Sequence, residues 1–302
     1  MADAAARAGQ GGTNSNYLDL VGLAPLMART RGLPEISIGL IDGPVAINHP
    51  DLPAENIHEV AADLPVACAD SSNPACAHGT FMAGVLLARR GSPAPAICPE
   101  CSLLVRPIFA EAIPNGEAVP AATAEELAKA VIDVIDAGAR IVNLSLALLG
   151  SSSKGESLLG QAFDYALRRG AVVVAAAGNQ GAVGGSVITR HPWVIPVVAY
   201  GLRGRPMDLS NLGASIGRCG LGAPGEAVTS LGVRDPVTMG GTSAATPFVA
   251  GALALMWSEF PHARAAAVRS AVIRAAASRR ASIVPPLLNA WAGYQAMSKA
   301  RI

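Results

Sequence analysis

The chain has 302 residues, of which 51% are hydrophobic and 15% are charged, and its formal net charge is +1. This length and apolar content suffice for one large hydrophobic core, and the balanced charge, without a basic stripe, argues against a nucleic-acid partner. The apolar runs are short and interrupted by glycine, proline or charged residues, so we expect neither a membrane-spanning helix nor a membrane partner.

The first residues of the chain differ in composition from the rest. Residues 1–16 are rich in Ala, Gly, Ser and Asn and lack the apolar stretch of a secretory signal. We interpret them as a disordered lead to a single domain over residues 17–302. Without a signal, the expected location is cytoplasmic, where cysteines are mostly reduced.

The five cysteines do not form a recognisable metal site. Cys98 and Cys101 have the spacing of half a zinc site, but no second pair completes it, so we predict no metal and no other cofactor. We expect free thiols packed in loops. The alternative is a disulfide between Cys68 and Cys76 or between Cys98 and Cys101.

Strands and helices alternate along the chain, which predicts a mostly parallel, doubly wound sheet with helices on both faces. The fold class is therefore α/β, with three layers in one domain. Two Ala-rich helices near the C-terminus are expected to cover one face of the sheet. The predicted elements are a helix over Tyr17–Arg31, a strand over Ile36–Ile41, a loop over Val45–Ala77, a helix over His78–Ala88, a strand over Leu103–Phe109, a helix capped by Thr123 and ending at Asp136, a strand over Arg140–Ala147, a helix over Glu156–Arg169, strands over Ala171–Ala177, Val194–Ala199 and Val228–Leu231, a long helix after Ser243, and helices over His262–Ser278 and Pro286–Ser298.

Four polar residues stand where these elements begin or end. Asp42 ends the first strand, where open α/β sheets place their chemistry, and Asn179 follows a strand of small residues. His78 begins a helix, where the neutral, basic imidazole is favoured. Ser243 follows a Gly-rich turn onto a helix start, whose positive end would stabilise an alkoxide. Taken singly, each has a structural alternative, namely a turn residue, a buried histidine or a helix cap.

The surrounding strings resemble those of the subtilisin-like serine proteases, in the family's order of Asp, His and Ser. The resemblance extends from about Tyr17 to the C-terminus. It rests on Ile41-Asp42-Gly43-Pro44 followed by His49-Pro50-Asp51-Leu52, on His78-Gly79-Thr80, Ala176-Ala177-Gly178-Asn179 and Ala223-Pro224-Gly225, and on Gly241-Thr242-Ser243-Ala244-Ala245-Thr246-Pro247.

The resemblance implies a role for each matched residue. Ser243 would be the nucleophile, His78 the general base and then acid, and Asp42 the partner that holds the imidazole. Asn179, together with the Ser243 backbone N–H, would form the oxyanion hole. The implied substrate-binding residues are Ser145, Leu146 and Ala147 on one side of the pocket and Ala176, Ala177 and Gly178 on the other.

The chain also departs from the family pattern. Gly43 replaces the usual Ser or Thr after the aspartate, and Phe81 replaces a second histidine. Ala147 stands where the family has a glycine, and its methyl group should narrow the pocket for the residue before the cleaved bond. The alternative is that the Ala147 side chain points into the core. Residues 89–95 offer no carboxylate where secreted subtilisins often bind calcium, so no calcium is expected there.

Several strings are most similar to the branch that matures ribosomally made peptides, which includes cyanobactin-type proteases and macrocyclases. These are Asp42-Gly43-Pro44-Val45, His49-Pro50, and the stretch from Pro99 to Glu111. The resemblance implies an intracellular serine endopeptidase that removes a leader or recognition segment from a precursor peptide through an acyl-enzyme. A macrocyclase or transpeptidase is the first alternative, although the separation of 36 positions from Asp42 to His78 is too short for the helical insertion of such cyclases. A catalytically silent peptide-binding scaffold is the second.

Overall fold

A parallel sheet forms the centre of the protein. The computed structural model describes residues 16–60, 64–68, 73–109, 121–148, 152–276 and 282–300, and within these ranges the main sheet has seven strands in the order β2-β3-β1-β5-β7-β8-β9, all paired in parallel. The remaining strands form two small pairs, β4 with β6 and β10 with β11. The strands are β1 Ser37–Asp42, β2 Ile57–Glu59, β3 Ser102–Pro107, β4 Ala121–Ala122, β5 Ile141–Leu144, β6 Ala147–Leu148, β7 Val172–Ala176, β8 Val194–Tyr200, β9 Leu221–Pro224, β10 Val228–Ser230 and β11 Val237–Met239.

Helices cover the sheet on both faces, which confirms the three-layer α/β fold. The helices are α1 Leu23–Arg29, α2 Pro74–Leu87, α3 Ala124–Asp136, α4 Ser153–Arg169, α5 Val187–Arg190, α6 Ala214–Cys219, α7 Thr242–Glu259, α8 Ala265–Ala275 and α9 Ala290–Lys299. On one face, α3 and α4 pack together against the sheet, and on the other α2 and α7 do so. No helix within the described ranges is both long enough and apolar enough to cross a bilayer.

The long helix α7 is the core of the second face. Sixteen of its 18 residues are buried, because it lies between the sheet and the outer helices. A helix that is apolar all round can be stable in water only in such a position. Its burial holds the first turn, which carries Ser243, against the edge of the sheet where the strands end.

Several predicted boundaries are wrong for local reasons. The N-terminal helix is interrupted by a turn at residues 21–22, and α1 restarts so that Pro25 falls in its first turn, where no backbone N–H is needed. The predicted loop after β1 contains β2, an exposed edge strand without an apolar run. The predicted strand ending at Ala147 stops at Leu144, and β6 pairs separately with β4.

Other elements were missed or placed wrongly. The small residues of β9 do not show a strand pattern in the sequence. The elements α5, α6 and β11 are short and have no clear sequence pattern either. The two C-terminal helices pack mainly against each other and against α7, since α7 already occupies that face of the sheet. The expectation that they cover the sheet is correct only where α8 meets β7. The predicted lead up to residue 15, and Ser278 at the end of a predicted helix, lie outside the described residues.

One pair of cysteines is oxidised. Cys68 and Cys76 form a disulfide whose Cα atoms are 5.7 Å apart, whereas Cys98, Cys101 and Cys219 are free. The expectation of reduced thiols is therefore wrong for this pair, and one of the two alternative pairings is the one formed. The bond ties the loop before α2 to the first turn of that helix.

We expect the Cys68–Cys76 disulfide to stabilise the protein by about 2.5 kcal/mol, the loop-closure entropy of a crosslink with a sequence separation of 8. Replacing both cysteines by serine should lower the free energy of unfolding, measured in urea, by that amount. Cys219→Ser, which removes a free thiol, is the control and should change little. Equal unfolding curves for the double variant and the wild-type protein would contradict the prediction.

Candidate active site

Asp42 and His78 form a hydrogen-bonded pair at the carboxyl end of the sheet. Asp42 is the last residue of β1 and is fully buried, and its Oδ1 lies 2.6 Å from Nδ1 of His78. The same Oδ1 accepts a hydrogen bond from the Gly43 backbone N–H at 2.7 Å. One side of the His78 imidazole faces the Asp42 carboxylate. The side chain is 16% exposed, so another side of the ring remains accessible.

Two glycines make this pairing possible. A Cβ on Gly43 would collide with the Ala75 carbonyl of α2, and a Cβ on Gly79 would collide with the carbonyls of Gly43 and Pro44. The helix therefore approaches the turn after β1 at backbone distance, which brings His78 onto Asp42. A side chain at position 43 would push α2 away, so glycine at this departure from the family pattern fits the close contact.

The helix that carries His78 starts earlier than predicted. It begins at Pro74, with the Asn73 side chain accepting from Ala75 N–H at 2.8 Å, a favourable N-cap followed by proline at the first position. His78 is therefore the fifth residue of α2, and the expectation that a helix N-terminus favours its neutral form is wrong.

The carboxylate, not the helix end, sets the basicity of His78. Burial lowers the pKa of the imidazole, but the charge of Asp42 and the hydrogen bond to it outweigh burial, so the pKa is raised above its ordinary value. Asp42 Oδ2 is buried and has no hydrogen-bond partner among the described residues.

Ser243 lies in the first turn of α7, and its carbonyl is held by another chain segment. Pro247 has no N–H to give to the carbonyl four residues earlier, which is that of Ser243. The Ser145 hydroxyl supplies the missing donor at 3.2 Å, and Asn143 Nδ2 donates in turn to Ser145 Oγ at 2.9 Å. This network joins the end of β5 to the first turn of α7.

Asn179 is oriented by the residue before Ser243. Its Oδ1 accepts from both the backbone N–H and the hydroxyl of Thr242, each at 2.9 Å. Because a backbone N–H can only donate, the amide oxygen must face Thr242, and Nδ2 is left as the donor at the opposite end of the amide group.

The predicted site residues surround one cavity of about 330 Å³. Those that line it are His78, Ser145, Leu146, Ala176, Gly178, Asn179 and Ser243. Asp42 lies behind His78, and Ala177 packs instead against Val198, Tyr200 and Ile216. The placement of Ala177 in the pocket wall is therefore wrong, because successive residues of an extended chain face opposite sides. The side chain of Ala147 lies outside the described part of the structure.

Sequence reasoning missed several residues of the site. Met82, Gln180 and Met239 also line the cavity, and Asn143 and Thr242 hold the residues that do. Met82 lies four residues after His78, a helical spacing that could have revealed it. Met239 comes from the β10–β11 hairpin, whose approach to α7 has no local signal. Within the described ranges, no three His, Cys, Asp or Glu side chains come together in a way that could hold a metal ion.

Comparison with known sequences identifies the family. The model of the subtilase family, Peptidase_S8, matches residues 34–294, which is most of the chain. The chain belongs to the subtilase family. Subtilases are serine endopeptidases.

The relatives differ from this subtilase in length. It is 28% identical to "Subtilisin" of Bacillus sp. (strain TA39) over 270 residues, which cover 80% of this chain and 61% of that protein. The chain thus spans less than two thirds of the length of this relative.

Solved structures resemble this subtilase over nearly their whole length. A mutant of the protease domain of PatA matches with a TM-score of 0.79 and 28% identity, covering 89% of this chain and 97% of that one. The prenylagaramide maturation protease PagA matches with a TM-score of 0.77 and 25% identity, covering 91% and 98%. The predicted likeness to cyanobactin-type proteases is confirmed at the level of structure.

The raised pKa of His78 predicts the pH dependence of peptide cleavage. Since only the neutral imidazole accepts a proton, kcat/KM should fall as the pH drops through a midpoint above about 6.5, the ordinary value for histidine. Asp42→Asn removes the carboxylate but not the burial, so any residual activity should have its midpoint at lower pH.

His191→Gln provides the control for this profile. His191 pairs with Asp164 outside the cavity, and burial lowers its pKa. The acid limb should be the same in this variant as in the wild-type protein. A wild-type midpoint below 6.5, or an acid limb that moves in the His191 variant, would contradict the assignment to His78.

Proposed function

We propose that this subtilase is an endopeptidase that cleaves a peptide precursor through an acyl-enzyme on Ser243. One observation carries the proposal: the buried Asp42 carboxylate holds His78 at 2.6 Å beside a cavity that Ser243 and Asn179 also line. A nucleophile, a base oriented by a third group and an oxyanion donor around one cavity are the parts that acyl transfer requires.

The reaction follows from the roles of these groups. Ser243 Oγ attacks the carbonyl carbon of the peptide while His78 accepts the hydroxyl proton, and the carbonyl oxygen becomes an oxyanion. The C–N bond then breaks as His78 returns the proton to the leaving amine. Water repeats the sequence on the acyl-enzyme, which releases the acid and restores the serine. The Asp42 carboxylate stabilises the imidazolium in both halves of the reaction.

Oxyanion stabilisation is assigned to Asn179 and the first turn of α7. Asn179 Nδ2 is the donor end of an amide whose oxygen is held by Thr242, and the Ser243 backbone N–H lies at the positive end of an 18-residue helix. Loss of the equivalent side-chain donor in a subtilisin slows the reaction about 10²- to 10³-fold.

The proposed substrate is a precursor peptide, from which a leader or recognition segment is removed. The likeness to PagA, which is named for prenylagaramide maturation, and to the protease domain of PatA supports this class. The motif resemblance after β1 and in the sequence from Pro99 to Glu111 points to the same branch.

The cytoplasmic location expected from the sequence stays a prediction. The Cys68–Cys76 disulfide favours an oxidising compartment, since such bonds are rare where thiol reductants maintain cysteines. Mass spectrometry of the protein from its native cells, with free thiols alkylated on lysis, would show which state exists there.

Ser243→Ala tests the proposed nucleophile. A fluorophosphonate probe should label the wild-type protein at Ser243, and the variant should lose both labelling and peptide cleavage while keeping its melting temperature. Ser152→Ala, which removes a helix-capping serine outside the cavity, should lose stability without losing the label. Labelling that survives in a folded Ser243→Ala protein would overturn the assignment.

The products of a peptide library distinguish hydrolysis from cyclisation. Mass spectrometry should detect linear fragments that each carry a new terminus. Cyclic products, which lack one water relative to the linear acid, would contradict the proposed hydrolysis in favour of transpeptidation. Tight peptide binding with neither product would point to a silent scaffold.

Ala147→Gly tests the pocket for the residue before the cleaved bond. Ala147 directly follows Ser145 and Leu146, which line the cavity, and its methyl is proposed to narrow that pocket. We expect the wild-type protein to prefer small or unbranched residues over Phe and Tyr by about 1–3 kcal/mol, and the glycine variant to relax the preference. Equal ratios of Phe to Ala cleavage in the two proteins would contradict this.

A further inference from the structure

The loop that carries Asn179 is braced by an asparagine from a different part of the chain. This loop follows β7, and Asn211 lies in the segment between β8 and α6. The Asn211 backbone N–H donates to the Gly178 carbonyl at 2.9 Å. Gly178 directly precedes Asn179, so the contact fixes one side of the proposed oxyanion residue.

The Asn211 side chain fixes the other side. Its Oδ1 accepts from the backbone N–H groups of Gln180 and Ala182, at 3.1 and 3.0 Å. Its Nδ2 donates to Oε1 of the Gln180 side chain at 2.7 Å. Because two backbone donors converge on one oxygen, the orientation of the amide is set by the contacts themselves. The peptides before and after Asn179 are therefore both held by one residue.

This bracing differs from the contacts that hold the rest of the loop. Farther along, backbone pairs join the two segments, with Gly181 N–H donating to the Leu209 carbonyl at 2.8 Å and Leu212 N–H to the Ala182 carbonyl at 2.9 Å. These pairs do not depend on the Asn211 side chain. Truncating that side chain should therefore leave the segments together while loosening the turn at Asn179.

We propose that Asn211 is a positioning residue for the oxyanion hole, which it serves by holding Asn179 at the cavity. The inference rests on the proposed function, since it assigns Asn211 to the same acyl transfer. Asn211 is not among the residues that line the cavity, so it acts through Asn179 and not through contact with the substrate. A shift of about 1 Å in a catalytic group can cost about 100-fold in rate.

A double-mutant cycle between Asn211 and Asn179 tests the proposal. In the wild-type background, Asn211→Ala should lower kcat by about tenfold or more and leave KM within about twofold. In the Asn179→Ala background, the same change should lower kcat by less than about twofold, since the donor that it positions is already gone. The rate of fluorophosphonate labelling of Ser243 should follow the same pattern.

Asn56→Ala is the matched control. Asn56 also braces a loop, with Nδ2 donating to the Pro99 carbonyl at 3.0 Å, but it lies outside the cavity. This variant should leave kcat unchanged. If Asn211→Ala does not fold, Asn211→Ser retains one side-chain acceptor and should show the same dependence on Asn179 with a smaller loss.

The outcomes separate this inference from the proposed function. An unchanged kcat in Asn211→Ala, or an equal loss in the two backgrounds, would overturn the positioning role while peptide cleavage by the wild-type protein stands. A wild-type protein that neither cleaves peptides nor reacts with the probe would overturn the proposed function and this role with it. A loss confined to the background that contains Asn179 would support the proposal.

Discussion

The site depends on how closely α2 can approach the end of β1. Gly43 and Gly79 allow contact between backbones, and this contact places His78 Nδ1 at 2.6 Å from the buried Asp42 carboxylate. The Cys68–Cys76 disulfide reinforces the first turn of the same helix. A buried carboxylate without a cationic or hydrogen-bonding partner would be costly, so the packing of the helix and the Asp42–His78 hydrogen bond support each other.

The second half of the site depends on a helix that cannot complete its own hydrogen bonds. Pro247 leaves the Ser243 carbonyl without its helical donor, and Ser145, itself held by Asn143, takes that place. The start of α7 is thereby tied to the end of β5 by side chains, while Thr242 ties it to Asn179. Polar groups without a partner inside their own helix or strand thus form the hydrogen bonds that align the start of α7 with β5 and Asn179.

Both halves meet at the carboxyl edge of the sheet, where the strand order reverses around β1. The first turn of α7, the ends of β5 and β7 and the side chain of His78 face one cavity there. Loops supply the remaining contacts, and the Asn179 loop is held by hydrogen bonds from a neighbouring segment. The helices and strands thus position His78 and Ser243, and a loop positions the hydrogen-bond donor of Asn179.

The amino-acid sequence determined the α/β alternation, the buried strands and the capped helix α3, because periodicity and short motifs are local properties. For the same reason its motifs indicated Asp42, His78, Asn179 and Ser243 as candidate site residues. Only the tertiary structure decided which side chains share the cavity. Some of the residues around the site are far in sequence from the residues that they contact, and a local pattern cannot predict a long-range contact. These are Asn211, Met239 and Ser145. The predictions for Ala177 and for the Cys68–Cys76 pair were wrong for the same reason. The direction in which a side chain points and the pairing of cysteines both depend on packing that arises only when the chain folds.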